Sequence, residues 1–415
     1  MRRGLIWLAA ILGAVSLFGG LIVATAPSAP AGPPTSITNR SRPGTQDASG
    51  LVPRDPLADA GWLSLGSVPG KGTRWEEMAR TALLDLRQLS QPGGAVAAGV
   101  GGPWNYAWPR DTAFVAVALA RSGHHVEALR VLTFLQRVQL GDGGFEARYR
   151  LDGSGPPDDR ARQSDGAGWV LWATWEVSRL SPSWPEVGPS TALRSLIHEA
   201  TDFTLAVTDD GRQLPPASPD YWEVGVRRTS LGTVAPLLAG LQASQRLYAA
   251  LGESARAERS GSAAFRLGTV VEQRFAGGYE RFGSSWLGGG GLDAAVTFLM
   301  PPFAGVPSPQ VVDAWTRYQS DALRPAGGLA PGAQWKQDGI SWTPETALVA
   351  YTAAMSGRPA VASYWMDWLA AHRATSGSLS EKVLANGAPA GPAPLAWTSA
   401  LVVLTAAELQ SANGL

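Results

Sequence analysis

From about residue 73 to the C-terminus, the sequence alternates between two kinds of helix. The spacing of apolar residues predicts twelve helices, at 74–91, 111–122, 125–139, 164–181, 190–207, 230–251, 253–275, 291–299, 308–322, 344–356, 358–372 and 393–412. The even-numbered helices, such as LAWTSALVVLTAA at 395–407, are apolar on nearly every side, which predicts burial. The odd-numbered helices carry their charges on one side. The alternation predicts an inner ring of six helices wrapped by an outer ring of six, with a less regular helical array as the alternative.

The predicted loops alternate in length as well. Links from even- to odd-numbered helices are short, as in SGHH at 122–125 and SGRP at 356–359. Links from odd- to even-numbered helices are long and rich in Trp, Gly, Pro and charge. In a double ring all the long loops lie at one end, where the inner helices begin. We therefore expect the functional site there, because function concentrates in long loops on rigid scaffolds and helix N-termini favour negative groups.

The composition excludes several classes of site. The chain has no cysteine, so it has no disulfide, thiol nucleophile or thiolate metal ligand. Its four histidines show no zinc-ligand spacing, which argues against a zinc or haem enzyme. The predicted function needs no cofactor, and no metal site is expected. The 34 basic residues balance 34 acidic ones, which argues against a nucleic-acid partner. The 17 tryptophans offer flat faces that suit sugar rings, although a single Trp is more often part of a core.

The N-terminus resembles an export signal. Arg2 and Arg3 precede an uncharged apolar run over 4–26, which would span about 34 Å as a helix and so cross a bilayer. We predict a signal anchor or signal peptide at 1–26, with the rest of the chain exported and either tethered to the membrane or secreted. Residues 27–72 are rich in Pro, Ser and Gly and are predicted to be a flexible linker. Residues 73–415 are predicted to form one catalytic domain, taken as monomeric.

The long loops place carboxylates among aromatic residues. Glu223 follows Trp222 in SPDYWEVGVRRTS at 218–230, and Glu381 lies in GSLSEKV at 377–383. Acetal hydrolysis needs one carboxyl group that keeps its proton, which an apolar setting favours, and one that stays ionised to activate water. The aromatic setting of Glu223 suits the proton donor. The polar setting of Glu381, beside Lys382, suits the ionised group.

Other carboxylates in these loops have structural interpretations beside the functional one. Asp111 and Asp165 stand at predicted helix starts, where they could act as caps. Glu345 follows Pro344, and the preferred interpretation is a favourable interaction with the helix dipole. Asp165 and Asp220 are nevertheless predicted to bind substrate.

Four segments resemble the glucoamylase-type enzymes of glycoside hydrolase family 15. They are WNYAWPRDTAFVAVALARSGHHVEAL, RQSDGAGWVLWA, DYWEVGVRRTSLGTVAPLLAGL and LSEKVLANGAPAGPAPLAWTSALVVL. They are similar to that family's W-x-R-D, Q-x-D-G, D-x-W-E and E-x-V…P-L-A-W segments, occur in the same order, and cover about residues 104–405. The resemblance implies an all-α (α/α)6 toroid that hydrolyses α-glucosidic bonds of oligo- or polysaccharides from non-reducing ends, with inversion.

The resemblance also implies roles for individual residues. Glu223 matches the general acid and Glu381 the general base. Arg110 and Asp111 match the pair that holds hydroxyls of the terminal sugar. The residues that match the pocket walls are Trp108 and Trp222.

The sequence departs from the family pattern beside both glutamates. Val224 stands where many glucoamylases have a second carboxylate, and Lys382 stands where Gln is common. The linkage therefore stays open between starch-type, isomaltose-type, trehalose and cell-envelope glucans. Two alternatives also stay open: a non-catalytic glycan-binding envelope protein with the same fold, and another (α/α)6 enzyme such as a trehalase.

Overall fold

Helices make up most of the regular structure. The structure is a computed structural model that describes residues 55–181, 192–283 and 288–412. In that part of the chain the α-helices are α1 (Pro56–Leu63), α2 (Glu76–Leu89), α3 (Pro109–Arg121), α4 (His125–Val138), α5 (Asp165–Leu180), α6 (Arg194–Val207), α7 (Leu231–Ala250), α8 (Ser254–Phe275), α9 (Pro309–Asp321), α10 (Thr343–Met355), α11 (Pro359–Ala371) and α12 (Ala396–Ala412). Two 3-10 helices, Gly102–Trp104 and Ala294–Leu299, and three strands, β1 (Ser341–Trp342), β2 (Lys382–Val383) and β3 (Pro389–Ala390), accompany them.

Helices α3, α5, α7, α10 and α12, together with the 3-10 helix Ala294–Leu299, form a closed inner ring. Each member packs against the next, and α12 packs against α3 to complete the ring. In α3 every residue except Arg121 is buried. Helices α2, α4, α6, α8, α9 and α11 form the outer layer and bury one side each against an inner neighbour. The double ring of helices predicted from the sequence is confirmed in the described residues.

Two inner helices touch through their backbones. A Cβ atom added at Gly168 in α5 would lie 2.1 Å from the carbonyl oxygen of Pro236 in α7. A Cβ added at Gly240 would lie 2.7 Å from the Cα of Gly168. Both distances are far below ordinary contact, so only glycine fits at these two positions. This close approach lets the backbones of α5 and α7 pack directly against each other.

Two elements differ from the sequence-based expectation. The helix predicted at 291–299 is the short 3-10 helix Ala294–Leu299, where the Asp293 side chain accepts a hydrogen bond from the Ala295 amide (2.8 Å). The flexible linker predicted at 27–72 is wrong for residues 56–63, which form α1. There Trp62 is buried and stacks on His124 at 3.7 Å, so one apolar ring anchors the helix to the domain.

The predicted N-terminal helix at 1–26, and the rest of the linker up to residue 54, lie outside the described residues. Among the residues that are described, no helix combines the length and apolar character needed to cross a bilayer.

The long loops pair with one another at the end of the ring where the inner helices begin. The loop before α3 forms bridges to the loop before α12, through Gly99 and Leu395, and to the loop before α5, through Ala107 and Tyr149. Strand β1, just before α10, pairs antiparallel with β2 in the last long loop. The loops therefore form one connected rim around the N-terminal ends of the inner helices.

Candidate active site

A cavity of about 250 Å³ opens within this rim. Its walls come from the long loops and from the first turns of α3, α10 and α12. Five of the lining residues are tryptophans: Trp104, Trp108, Trp222, Trp342 and Trp397. Seven are charged: Arg110, Asp111, Arg148, Arg160, Glu223, Glu345 and Glu381. Of the residues that the sequence singled out, the structure brings six to this cavity, namely Glu223, Glu381, Trp108, Arg110, Asp111 and Trp222.

Glu223 lies on the cavity wall in an unusual backbone conformation. Its φ of 56° is in the left-handed region, which costs a residue with a side chain roughly 1–2 kcal/mol. The Glu223 amide donates to the carbonyl oxygen of Asp220 (2.8 Å), which closes the turn. Glu223 Oε2 accepts a hydrogen bond from Arg160 Nη1 at 2.7 Å, and Oε1 lies 3.9 Å from Arg110 Nη2. The setting predicted from sequence was aromatic and apolar; the structure adds two guanidinium groups to it.

A buried ion network supports the Glu223 turn from behind. Asp220 is fully buried, and its Oδ1 accepts from Arg281 Nη2 (2.7 Å) and from the Trp222 amide (3.0 Å). Arg281 also donates to Asp293 at 2.9 Å, and its guanidinium lies 3.7 Å from the centre of the Trp222 ring. Burial lowers the pKa of Arg281, but Asp293 and Asp220 raise it more, so the net shift is upward.

Asp220 therefore has a different role from the predicted one, which was to bind substrate. Its second oxygen accepts from the hydroxyl of Ser230 (2.6 Å), the residue that caps α7. With both oxygens bonded inside the protein, Asp220 is not among the residues that line the cavity. It supports the wall formed by Trp222 and Glu223 instead of contacting the space inside.

Glu381 lies on the wall immediately before β2 and is held by the main chain. Its amide donates to Pro392 (3.0 Å), and its carbonyl oxygen accepts from the Thr343 amide (3.1 Å). In the side chain, Oε1 accepts from Trp104 Nε1 at 3.2 Å. Lys382 Nζ lies 3.0 Å from Oε2, but not in hydrogen-bond geometry, so Oε2 accepts no hydrogen bond from the described residues.

Arg110 and Asp111 form the deep end of the cavity. Both are buried at the start of α3, and Arg110 Nη2 lies 3.1 Å from Asp111 Oδ2. The guanidinium stacks on the ring of Trp397, 4.7 Å from its centre. Burial lowers the pKa of Arg110, but the surrounding carboxylates outweigh this and raise it. Burial raises the pKa of Asp111 although Arg110 opposes the shift.

Asp165 is not among the residues that line the cavity. It is the first residue of α5, fully buried, and its Oδ2 accepts from the indole of Trp169 at 3.1 Å. Burial raises its pKa to about 7, with Arg110 acting in the opposite direction. The structure thus gives no contact between Asp165 and the cavity, in contrast to its predicted role in substrate binding.

Glu345 is a cavity residue whose importance the sequence did not reveal. It lies in the first turn of α10 and is buried, and its Oε2 has no hydrogen-bond partner among the described residues. Its pKa is raised to about 8, mainly by burial and also by the charge of Glu381, while a hydrogen bond from its own backbone and the charge of Arg110 act in the opposite direction. The helix-dipole interpretation explains its position in the chain but not its place on the cavity wall. Its presence in a long odd-to-even loop was the available signal.

Buried polar atoms without a hydrogen bond concentrate around the cavity. Among the described residues, those on its lining side chains are the indole nitrogens of Trp108, Trp222, Trp342 and Trp397, Nε and Nη1 of Arg110, Nε of Arg148, Asp111 Oδ2, Glu345 Oε2 and Glu381 Oε2. Two of these oxygens, Asp111 Oδ2 and Glu381 Oε2, do lie in ion pairs, with Arg110 and Lys382. Buried polar atoms almost always have partners, because leaving one unpaired costs about 1–3 kcal/mol. A ligand with many hydroxyl groups, flat enough to lie against indole rings, would satisfy both the donors and the acceptors.

The described residues contain no group of three or more His, Asp or Glu side chains arranged to hold a metal ion. Ion pairs join Arg110 to Asp111 and Arg160 to Glu223 on the cavity wall.

Comparison with known proteins shows which sequences the chain is similar to. The chain is 26% identical over 373 residues to an isomaltose glucohydrolase of Kribbella flavida, covering 81% of this chain and 93% of that protein. A shorter match, 32% identical over 98 residues, is to an uncharacterised glycosyl hydrolase of Methanocaldococcus jannaschii and covers 23% of this chain and 16% of that one. No family model matches the sequence.

Solved structures agree on the architecture. A wild-type glycosidase superposes with a TM-score of 0.68 at 21% identity, over 86% of this chain and 99% of the other. A bacterial glucoamylase complexed with acarbose superposes with 0.68 at 17% identity, over 84% and 57%. The glucoamylase from Saccharomycopsis fibuligera superposes with 0.66 at 13% identity, over 88% and 98%. At these identities the likeness shows that the chain shares the fold of these proteins.

Together with the fold and the four ordered motifs, the relative that matches most of the chain supports a glycoside hydrolase that is similar to glucoamylase-type enzymes.

Proposed function

We propose that the chain is an inverting α-glucosidase that removes glucose from non-reducing ends, with Glu223 as general acid and Glu381 as general base. The observation that carries the proposal is that both glutamates line one cavity whose inner end is occupied by Arg110 and Asp111. Those two side chains are each 7% exposed, whereas Glu223 is 29% exposed. Such a pocket accepts the end of a sugar chain, because the chain cannot continue past the deep end.

The terminal sugar would occupy the deep end. There the unpaired Nε and Nη1 of Arg110 can donate to its hydroxyl oxygens, and Asp111 and Glu345 can bond the remaining hydroxyls. Trp397 and Trp108 supply indole faces and unpaired indole nitrogens. These contacts account for the polar atoms that have no partner in the protein alone.

The two glutamates divide the chemistry. Glu381 takes a proton from a water molecule while that water forms a bond to the anomeric carbon, and Glu223 gives its proton to the glycosidic oxygen as the bond to the leaving group breaks. Trp104 holds Glu381 Oε1, which leaves Oε2, beside Lys382, as the oxygen available to accept the water's proton. Glu223 reacts as the neutral acid, so its ion pair with Arg160 must open before the proton is transferred.

The α-1,6 linkage is the first candidate. The support is the isomaltose glucohydrolase that matches 81% of the chain. Maltose, kojibiose and trehalose complete the set to be compared.

The test follows the anomeric protons by NMR from the first minute after the full-length protein meets isomaltose. Early β-glucose is expected, because single displacement inverts the α configuration. Glu223→Gln and Glu381→Gln should each reduce turnover by several orders of magnitude, whereas Glu258→Gln on the exposed side of α8 should not. Early α-glucose, or turnover close to wild type in both active-site variants, would contradict the proposal.

We also propose that the enzyme acts outside the cytoplasm, tethered or secreted. The support is the sequence alone: Arg2 and Arg3 followed by the apolar run over 4–26. Recovery of the protein in the cytoplasmic fraction of the cells that make it would contradict export.

A further inference from the structure

Arg160 lies at the outer part of the cavity. Its side chain is 31% exposed, close to the 29% of Glu223, whereas Arg110 at the deep end is 7% exposed. If the terminal sugar occupies the deep end, the leaving group lies on the outer side of Glu223. Arg160 is therefore placed beside the leaving group and away from the sugar that is released as glucose.

The guanidinium of Arg160 joins two carboxylates. Nη1 donates to Glu223 Oε2 at 2.7 Å, while Nε and Nη2 donate to Asp158 at 3.0 Å each. Asp158 is shared, because it also accepts from Arg148. Burial raises the pKa of Asp158, but the hydrogen bonds from Arg148 and Arg160 lower it more, so that it stays an anion. The positive charges of Arg148 and Arg160 are thus balanced by the carboxylates of Asp158 and Glu223.

Protonation of Glu223 changes this balance. In the reacting state Glu223 is neutral, so Arg148 and Arg160 share the single negative charge of Asp158. One positive charge is then in excess, and Nη1 of Arg160 faces the cavity at the position where it previously held a carboxylate. A guanidinium binds carboxylates in this way more strongly than it binds neutral hydroxyls.

We propose that Arg160 binds a carboxylate on the leaving group, so that the preferred substrates are α-glucosides of a sugar acid. This inference rests on the proposed function, because it assigns the leaving-group side from the role of Glu223. The substrate's carboxylate takes the place of the Glu223 carboxylate on Nη1. It also separates Glu223 from Arg160, which leaves Glu223 beside the glycosidic oxygen.

Matched substrates that differ in one charge test the proposal in turnover. Glucosyl-α-1,6-gluconate is compared with glucosyl-α-1,6-sorbitol, and the α-1,4 pair is compared in the same way, using the full-length protein. We expect kcat/KM for the gluconate to exceed that for the sorbitol by about tenfold, the size of a hydrogen bond to a charged group. Arg160→Gln should bring this ratio close to one. Arg162→Gln is the matched control, since Arg162 is in the same loop but pairs with Asp142 and Glu146 away from the cavity.

Binding of the free leaving groups gives a test that needs no turnover. Gluconate and sorbitol are titrated against the quenching of tryptophan fluorescence in wild type, Glu223→Gln, Arg160→Gln and the double variant. Glu223→Gln should bind gluconate about tenfold more tightly than wild type does, because the competing carboxylate is gone. That gain should be lost in the double variant, while sorbitol binding should change little throughout.

The outcomes separate this inference from the proposed function. Equal binding of gluconate and sorbitol by Glu223→Gln, or a gluconate-to-sorbitol ratio of one or less in wild-type turnover, overturns the inference even if both glucosides are hydrolysed. Selective gluconate binding without hydrolysis of any glucoside supports a carboxylate site at Arg160 but overturns both the proposed activity and the inference that sugar-acid glucosides are substrates. Arg160→Lys retains the charge without the planar donor pair, so intermediate selectivity is expected if the guanidinium itself matters.

Discussion

Glu223 is held in place by buried charge, whereas Glu381 is held by the main chain. Behind Glu223, Asp220 and Asp293 share Arg281, whose side chain is 2% exposed. Around Glu381, the supports are backbone hydrogen bonds and the pairing of β2 with β1 and β3. The support of Glu223 and the support of Glu381 should therefore respond differently to substitution. A buried ion network loses much when one member is removed, while a main-chain ladder depends on backbone conformation and little on side-chain identity.

Removing the central cation should break the charge-based support. Arg281→Met leaves Asp220 and Asp293 buried without their partner, so we expect the free energy of unfolding to fall by about 3–5 kcal/mol. Urea denaturation measures this loss. Turnover should fall too, because Trp222 loses the guanidinium beneath its ring.

The control for that substitution is Arg259→Met. Arg259 pairs with Asp210 on the exposed side of α8, with a side chain that is 57% exposed, so a change below about 1 kcal/mol is expected. If the two variants were equally stable, the network behind Glu223 would not be the support described here.

Glu345, which interacts electrostatically with Glu381, extends this comparison. It is a buried carboxyl group, and among the described residues no arginine forms an ion pair with it. Its pKa is about 8 in the folded protein and 4.5 as the reference value. Above pH 4.5 the unfolded chain loses this proton while the folded chain keeps it, so stability falls as pH rises, until the folded group also ionises near pH 8. Between pH 6 and 8 the fall should be about 2 kcal/mol.

Glu345→Gln removes this pH-dependent loss. Denaturation curves at pH 5, 6, 7 and 8 should show the variant gaining on wild type as pH rises. Parallel pH profiles for the two proteins would contradict this, because they would show that the pKa of Glu345 is the same in the folded and unfolded chains. Glu258→Gln, exposed on α8, should give a profile parallel to that of wild type.

A change of backbone tests the main-chain support of Glu381. Gly391 has a φ of 77°, and a Cβ there would lie 2.9 Å from Glu381 Oε2 and 3.1 Å from its Cβ. Gly391→Ala should cost about 1 kcal/mol of stability and lower kcat by more than tenfold, because it pushes the carboxylate away from the water.

Gly387→Ala in the same hairpin is the matched control. Its φ is 85°, so the conformational cost is similar, but an added Cβ would meet only the His372 ring, at 3.8 Å. Stability should fall equally in both variants, and kcat should fall only in Gly391→Ala. Equal kcat values would mean that Gly391 does not set the position of Glu381.

The sequence predicted the features that depend on periodicity. Apolar residues on every side of α12 and α5 indicated burial, and the alternation with amphipathic helices indicated two layers. The long loops indicated where a site would lie, and four motifs indicated which residues would face it. The single buried Trp62 of α1 gave no periodic signal, so that helix was assigned to the linker.

Features that depend on long-range partners could not be predicted. Asp220 was expected to contact substrate because its neighbours are aromatic, but Arg281, 61 residues away, takes its carboxylate. The aromatic residues around Glu223 suggested an apolar setting because nothing local shows that Arg160 reaches it across 63 residues. The burial of Glu345 results from ring packing, which local composition does not reveal.

The contact between α12 and α3 has a consequence for how the protein is made. The ring cannot close until α12 has been synthesised, and α12 also supplies Trp397 to the cavity. While the chain is being synthesised, α3 therefore exposes an apolar side for which the partner has not yet emerged from the ribosome. The complete pocket, with Glu381 and Trp397 in place, forms only after translation has reached the final helix.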